Sequence, residues 1–239
     1  MITLASHEHE AEVAFRFDRL ASGFKSDVGK EDVRLNALRA CLDPVRGRRI
    51  LDLGCGKGRF AVQLARLGGN MVGLDRSRSM LARAGSLSRV RGTARRLPFA
   101  AASFDAVIAI DVFEHIVAID EVLLEVRRVL RPGGIVAIVD KNAGSWNAYR
   151  PWLPNLAAKW IDEQRGRWMY PKCSLVRERW FWPWTFRKRL RKVFDTVQTR
   201  YLLSSAEADC PLFLHVPALR LFALWSARAP ESRAGGVHV

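Results

Sequence analysis

Strand-length runs made almost wholly of apolar residues, separated by amphipathic segments, restrict this chain to few architectures. The runs are "RRILDLG" at 48–54, "NMVGLD" at 70–75, "SFDAVIAID" at 103–111 and "GIVAIVD" at 134–140. Between them, "RFAVQLARLGG" places Phe60, Leu64 and Leu67 on one helical face and stops at glycine, and "RSRSMLARAG" reads as a second helix ending in glycine. "AIDEVLLEVRRVLRPGG" sets Val122, Val126, Val129 and Leu130 on one face, with Pro132-Gly133-Gly134 expected to close that helix. Continuous apolar strands alternating with such helices predict a doubly wound α/β fold, its mostly parallel sheet covered on both faces.

After Asp140 the character changes. Seven of the eight tryptophans fall within residues 145–192, where 12 Lys or Arg face 3 Asp or Glu. "PWTFRKRLRKVF" then reads as a helix, with Phe186, Leu190, Val193 and Phe194 on one face, and "DTVQTRYLL" and "ALRLFALWSARA" as closing strands. We therefore expect one domain over 1–230. It has a core at 45–140, a Trp/Arg-rich insertion at 145–192, closing strands at 193–228 and a disordered tail at 229–239.

With 239 residues, 49% of them hydrophobic, the chain has material for one ordinary core. Its polar, acid-bearing N-terminus does not read as a targeting segment, and its longest apolar runs are too short or too interrupted to span a bilayer. Cys41, Cys55, Cys173 and Cys210 are scattered without ligand spacing, so we expect no metal and a reducing, cytoplasmic setting. The net charge of +15 points to anionic partners. Nothing in the sequence bears on oligomeric state.

The loop "DLGCGKGR" ends the first strand in Asp52 and sets Gly54, Gly56 and Gly58 at alternate positions. Glycine permits positive φ and has no side chain, so a ligand can lie against this loop and the helix N-terminus behind it. Arg59 stands where a pyrophosphate-binding fingerprint has its third glycine, which argues against a dinucleotide. Asp75 ends the second strand about 20 residues on, where an acid takes ribose hydroxyls. The competing reading is that Asp75 caps the next turn through Ser77.

Together "ILDLGCGKGRF", "VGLDRS", "RGTARRLPFAAASFDAVIAIDVFEHI", "VRRVLRPGG" and "GIVAIVD" resemble, in order, the class I S-adenosylmethionine-dependent methyltransferases, in particular their quinone-biosynthesis-like, small-molecule branch. The resemblance implies S-adenosylmethionine as cofactor. It places the methionine part on Asp52, Gly54, Cys55, Gly56 and Gly58, and the ribose on Asp75 beside Arg76. Met80, Thr93 and Ala94 would flank the adenine, and the segment from Asp111 to His115 would lie near the methyl group. The family often reads Gly-Asp-Ala where this chain has Gly92-Thr93-Ala94, so a carboxylate is absent from that turn.

Methyl transfer from a sulfonium needs the nucleophile oriented and, where required, deprotonated. His115, next to Glu114, is the candidate base; the alternative is that this pair only shapes the loop. Tyr170, Asp140 and His215 are secondary candidates, with His215 expected to be a core histidine. The resemblance also implies acceptor-binding elements at the N-terminus and in the insertion. At the N-terminus Phe15, Phe17 and Phe24 would close over the cofactor, and Phe17 and Phe24 would meet the acceptor. In the insertion the contacts would come from Trp146, Tyr149, Trp168 and Tyr170. Three readings of the insertion stand side by side: a lid over a flat or lipophilic small molecule, contact with an anionic membrane surface, and stacking on RNA. Missing N-P-P-Y-type and cytosine-methylating cysteine motifs weigh against nucleic acid, so a small, aromatic or lipophilic acceptor is favoured. The alternatives are an RNA methyltransferase or a non-catalytic binding protein.

Overall fold

The computed structural model describes residues 6–170, 174 and 176–231. Helices α1 (Ser6–Leu20) and α2 (Val33–Leu42) come first. The core follows as β1 (Arg49–Leu53), α3 (Arg59–Arg66), β2 (Asn70–Asp75), α4 (Arg78–Leu81), β3 (Ser88–Arg91), β4 (Phe104–Ile110), α5 (Ile119–Val129) and β5 (Leu130–Lys141). A hairpin of β6 (Trp146–Asn147) and β7 (Arg150–Pro154) leads into α6 (Asn155–Gln164) and, beyond an extended stretch, α7 (Pro183–Leu190). The chain ends in β8 (Asp195–Leu202), the short helices α8 (Ser205–Ala208) and α9 (Pro211–His215), and β9 (Phe222–Arg228).

The seven-stranded sheet has the order β3-β2-β1-β4-β5-β9-β8. Its first five strands are parallel, and β9 runs antiparallel to β5 and β8. The chain winds outward from β1 to β3 and then returns to lay β4 against the other side of β1. Strand order thus reverses between β1 and β4, where a doubly wound sheet opens a crevice beyond its strand C-termini.

The period-2 alternation of each strand feeds two cores. Ile50 packs with Leu38 and Leu64 of α2 and α3, whereas Leu51 and Leu53 pack with Val122 and Val126 of α5 and Phe186 of α7. All are fully buried, and each such side chain contributes about 1.5–3 kcal/mol. Trp225 is fully buried on β9 and donates its indole N–H to the Pro183 carbonyl at 3.0 Å.

Several local expectations need correction. Pro132-Gly133-Gly134 does not close α5: the helix gives way at Leu130, already extended, and these residues lie within the span of β5. They loop out where β4 pairing jumps from Leu130 to Ile135, with Gly133 at φ 72°. Strand β3 carried no apolar signal, because it is a short edge strand with exposed Arg89 and Arg91. The basic stretch 145–192 spans two environments, since Phe186 and Leu190 of α7 belong to the main core while the hairpin and α6 lie outside it. Ala229 is buried and donates its N–H to the Gly134 carbonyl; the tail reading for 232–239 falls outside the described residues. His215 is exposed at the end of α9 rather than in the core.

Candidate active site

The glycine loop fills the head of the crevice. Gly54, Gly56 and Gly58 take φ of 70°, 53° and 76°, where any other residue is strained. A Cβ on Gly54 would also stand 2.5 Å from Val112 Cγ2, and one on Gly58 would stand 2.9 Å from Leu87 Cδ2. At Gly56 a Cβ would meet nothing within 4 Å, since this residue opens onto the cavity it lines. The loop is tied to β2: Gly54 and Cys55 donate to the Leu74 carbonyl at 2.7 and 3.0 Å, and Gly56 donates to Asp75 Oδ2 at 2.8 Å. Asp75 Oδ1 accepts the Ser77 N–H at 2.8 Å. The acid therefore does cap the following turn, as the second reading held, and still lines the cavity.

That cavity, of about 300 Å³, gathers Asp52, Gly54, Cys55, Gly56, Asp75, Arg76, Met80, Thr93, Ala94 and Asp111 from the expected cofactor set. Gly58 lies behind it as the N-cap of α3. Burial, together with the nearby Asp75 charge, pushes the Asp52 carboxyl up to about 8. Burial also drives the Cys55 thiol upward, so it behaves as a small apolar filler packed over Gly73, where a Cβ would come within 2.7 Å of its sulfur. Asp111, at φ 57°, receives Arg34 at 2.7 Å and Arg59 at 3.3 Å. The arginine in place of a third glycine thus makes an ion pair at the strand switch.

Helix α1 lies over the opening. His9 Nε2 is 3.1 Å from the His115 carbonyl, Arg16 donates to the Met169 carbonyl, and Asp18 accepts from Ser77 Oγ at 2.6 Å and Ser79 N–H at 2.7 Å. Phe17 stacks on Phe24 at 5.4 Å and meets the His115 ring edge-on at 5.2 Å. Buried Lys57 reaches the Phe24 carbonyl and Ser26 Oγ, fastening that segment across the cavity.

The same cavity meets a buried polar group. His115 is 8% exposed, and burial lowers its pKa to about 3, so the imidazole is neutral. Its Nδ1 lies 3.2 Å from the Tyr170 hydroxyl and its Nε2 3.4 Å from Glu114 Oε1. Burial raises Glu114, against the pull of Lys141, whose ammonium sits 2.6 Å from Glu114 and 3.1 Å from Glu178. Burial opposes charge on Lys141 and Glu178, yet their partners hold each ionised. Asp111, Glu114 and Asp140 each offer an oxygen within 4.8 Å of the others, a grouping their spacing in the chain did not reveal; Arg34, Arg59 and Lys141 supply its counter-charge. Asp140 also accepts the Phe113 N–H at 3.0 Å, so it does more than end its strand.

The insertion contributes unevenly. Tyr170 reaches His115, and Trp168 donates to Glu178 Oε2 at 3.2 Å behind the lining. Trp146 and Tyr149 are not brought to the cavity, because β6 folds back on β7 and leaves Tyr149 85% exposed at the bend. Sequence reasoning missed Glu10, Lys57, Lys141, Met169 and Glu178, all of which line the cavity. The available signal for Glu178 was its being one of three acids in a basic block, and for Lys141 its place beside Asp140 at a strand end.

A reversed parallel sheet with a glycine loop at its switch point and an acid ending the next strand defines a nucleoside-cofactor-binding α/β protein. Residues 51–138 match the family described as "Methyltransferase domain". The chain is 32% identical over 186 residues to a ubiquinone biosynthesis O-methyltransferase of Azorhizobium caulinodans, covering 63% of this chain and 73% of that one. A relative of the same name from Rhizobium etli is 29% identical over 153 residues, covering 53% of this chain. The match spans 62% of the length of that relative and 59% of one from Agrobacterium fabrum. The chain belongs to the class I S-adenosylmethionine-dependent methyltransferase family. Solved structures agree on the fold: a chain of the Haloferax volcanii complex between the Trm112 methyltransferase activator and a methyltransferase superposes with a TM-score of 0.66 at 19% identity, covering 93% of this chain and all of that one. The [4+2]-cyclase SpnF superposes at 0.63 with 16% identity, covering 97% and 98%, so the fold alone does not fix the reaction.

Proposed function

We propose that this chain transfers a methyl group from S-adenosylmethionine to a small, aromatic or lipophilic acceptor, with a hydroxyl oxygen the favoured site. The observation that carries the reading is that the glycine loop, Asp75 and the neutral His115 line one cavity. The residues fit the cofactor: open space beside Gly56 admits a close backbone approach, and Asp75 faces the same space with an acid. S-adenosylmethionine supplies an activated methyl group.

The chain's own contribution is positioning and proton movement. Asp52 through Gly56 would hold the methionine end, Asp75 the ribose, and Met80, Thr93 and Ala94 the base, while Phe17 and Phe24 close over the acceptor and exclude water. A neutral imidazole has one nitrogen without a proton. In His115 the two nitrogens face the Tyr170 hydroxyl and Glu114, one of which an acceptor hydroxyl would have to displace. A pKa of about 3 makes His115 a weak base in the free protein, whereas the sequence predicts an imidazole titrating near neutrality. It would therefore take the acceptor's hydroxyl proton only as the methyl–oxygen bond forms and acidifies that hydroxyl, with the ionised Glu178 beside it offsetting the new charge. The titration of Asp52 supplies a test. A ligand ammonium beside it favours the ionised form, so binding S-adenosylhomocysteine at pH 7 should release about one proton. Affinity should rise about tenfold per pH unit up to about pH 8. Calorimetry in buffers of different ionisation enthalpy reads this release, and no buffer dependence would remove Asp52 from the ammonium site.

We further infer contact with an anionic membrane surface, on the observation that Trp152, Trp160, Trp182 and Trp184 are exposed on a basic segment. Among the described residues no helix is long and apolar enough to cross a membrane. The double substitution Trp182→Ala, Trp184→Ala should cut co-sedimentation with anionic vesicles at low salt by about tenfold. Unchanged sedimentation would dismiss this face.

A further inference from the structure

Helix α1 carries an acid on the part of the cavity wall where Thr93 and Arg76 stand. Glu10 lines the cavity together with Val13, Ala14 and Phe17 of the same helix. Its Oε2 accepts the Thr93 hydroxyl at 2.8 Å and pairs with Arg76. Its Oε1 lies 3.9 Å from Arg95 Nε, beyond hydrogen-bonding distance, and so keeps acceptor capacity. The walls next to it are apolar or backbone: Met80, which is buried, Ala94 and Gly92.

A slot of this kind suits a flat heterocycle with a donor on its edge. Adenine has such a donor in its exocyclic amine. Thr93 brings no carboxylate to this turn, and Glu10 delivers one to the same place from another part of the chain. We propose that Glu10 reads the exocyclic amine of the cofactor's base, and that it does so only when α1 is closed over the site. This rests on the cofactor reading above and adds the residue that selects the base. It joins base recognition to closure in one side chain, because the helix that carries Glu10 is also fastened by His9 to the His115 carbonyl and by Asp18 to the start of α4. Cofactor occupancy at Glu10 would thus hold in place the Phe17 ring that packs on His115.

The test compares S-adenosylhomocysteine with S-inosylhomocysteine, which has a carbonyl in place of the amine, by calorimetry on the full chain. A hydrogen bond to a carboxylate predicts that the wild type prefers the adenosine compound by about 10- to 100-fold. Glu10→Ala should lose about that factor for the adenosine compound alone and bind the two compounds within about threefold of each other. Glu10→Gln, which keeps the side-chain shape and so guards against a folding failure, should also relax the preference, because its amide donates to the inosine carbonyl. Asp18→Ala loosens α1 without touching the base. Because Glu10 reads the amine only from the closed helix, this variant should lower the preference for the adenosine compound below the wild-type ratio. An unchanged ratio would overturn the link to closure. A wild-type ratio retained in both Glu10 variants would overturn the proposal. So would equal weakening of both compounds by Glu10→Ala, which would reduce Glu10 to a fastener of α1. If the wild type binds neither compound, the cofactor reading itself fails, and the inference with it.

Discussion

Asp75→Ala should lower affinity for S-adenosylhomocysteine by about 100-fold or more, since two hydrogen bonds from ribose hydroxyls to a charged acceptor are lost together. The acid also organises the loop. Its two oxygens accept the Gly56 and Ser77 N–H groups at 2.8 Å, and a carboxylate has further lone pairs with which to accept from ribose hydroxyls. Burial raises its pKa while those backbone donors pull it down, so the surrounding amides sustain a charge that the interior resists. Asp75→Asn should be milder but still costly, because one amide edge of the new side chain faces an N–H donor. Titration calorimetry measures both variants. A change below about threefold for the alanine variant would mean that Asp75 serves only as a cap.

His115→Asn should leave cofactor affinity within about threefold and lower turnover by about 100- to 10,000-fold, the range of a lost general base. The wild type should show no loss of rate from protonation of His115 between pH 8 and about 5, because burial holds that imidazole neutral down to about 3. The same burial has a cost in acid. An imidazole in the unfolded chain titrates near its ordinary 6.5, so below that value the unfolded state binds more protons and the fold loses stability as pH falls toward about 3. His9, also lowered by burial, acts in the same direction. The gap between melting temperatures at neutral and mildly acid pH should therefore be smaller for His115→Asn than for the wild type, with His9 accounting for part of what remains. Unchanged turnover in this variant would leave His115 as part of the wall.

The strands and the glycine loop were legible because their signals are local. A strand buried on both faces must be apolar throughout, as 106–110 is, and a loop with three positive φ values must be glycine at 54, 56 and 58. The position of Asp75 was legible for the same reason, since it is the last residue of β2. Residues that reach the cavity from a distance had no such signature. Glu10 comes from α1 and Glu178 from an extended stretch, and their polarity alone reads as a solvated surface. Aromatic content misled in the opposite sense. It marked the insertion as an acceptor pocket, yet the bend after Asn147 turns Tyr149 to solvent while Trp168 donates to Glu178 from behind the cavity wall. The charge pattern around Lys141 shows why buried networks escape sequence reading: its meaning depends on Glu114 and Glu178, which lie 27 and 37 residues away along the chain.

The central claim is methyl transfer to a small lipophilic acceptor. It is tested most directly by incubating the protein with methyl-labelled S-adenosylmethionine and an extract of its source cells, then separating organic, RNA and protein fractions. Label in the organic fraction, lost in the Asp75→Ala and His115→Asn variants, is the predicted result. Label confined to RNA, or none in any fraction while the cofactor binds, would contradict it.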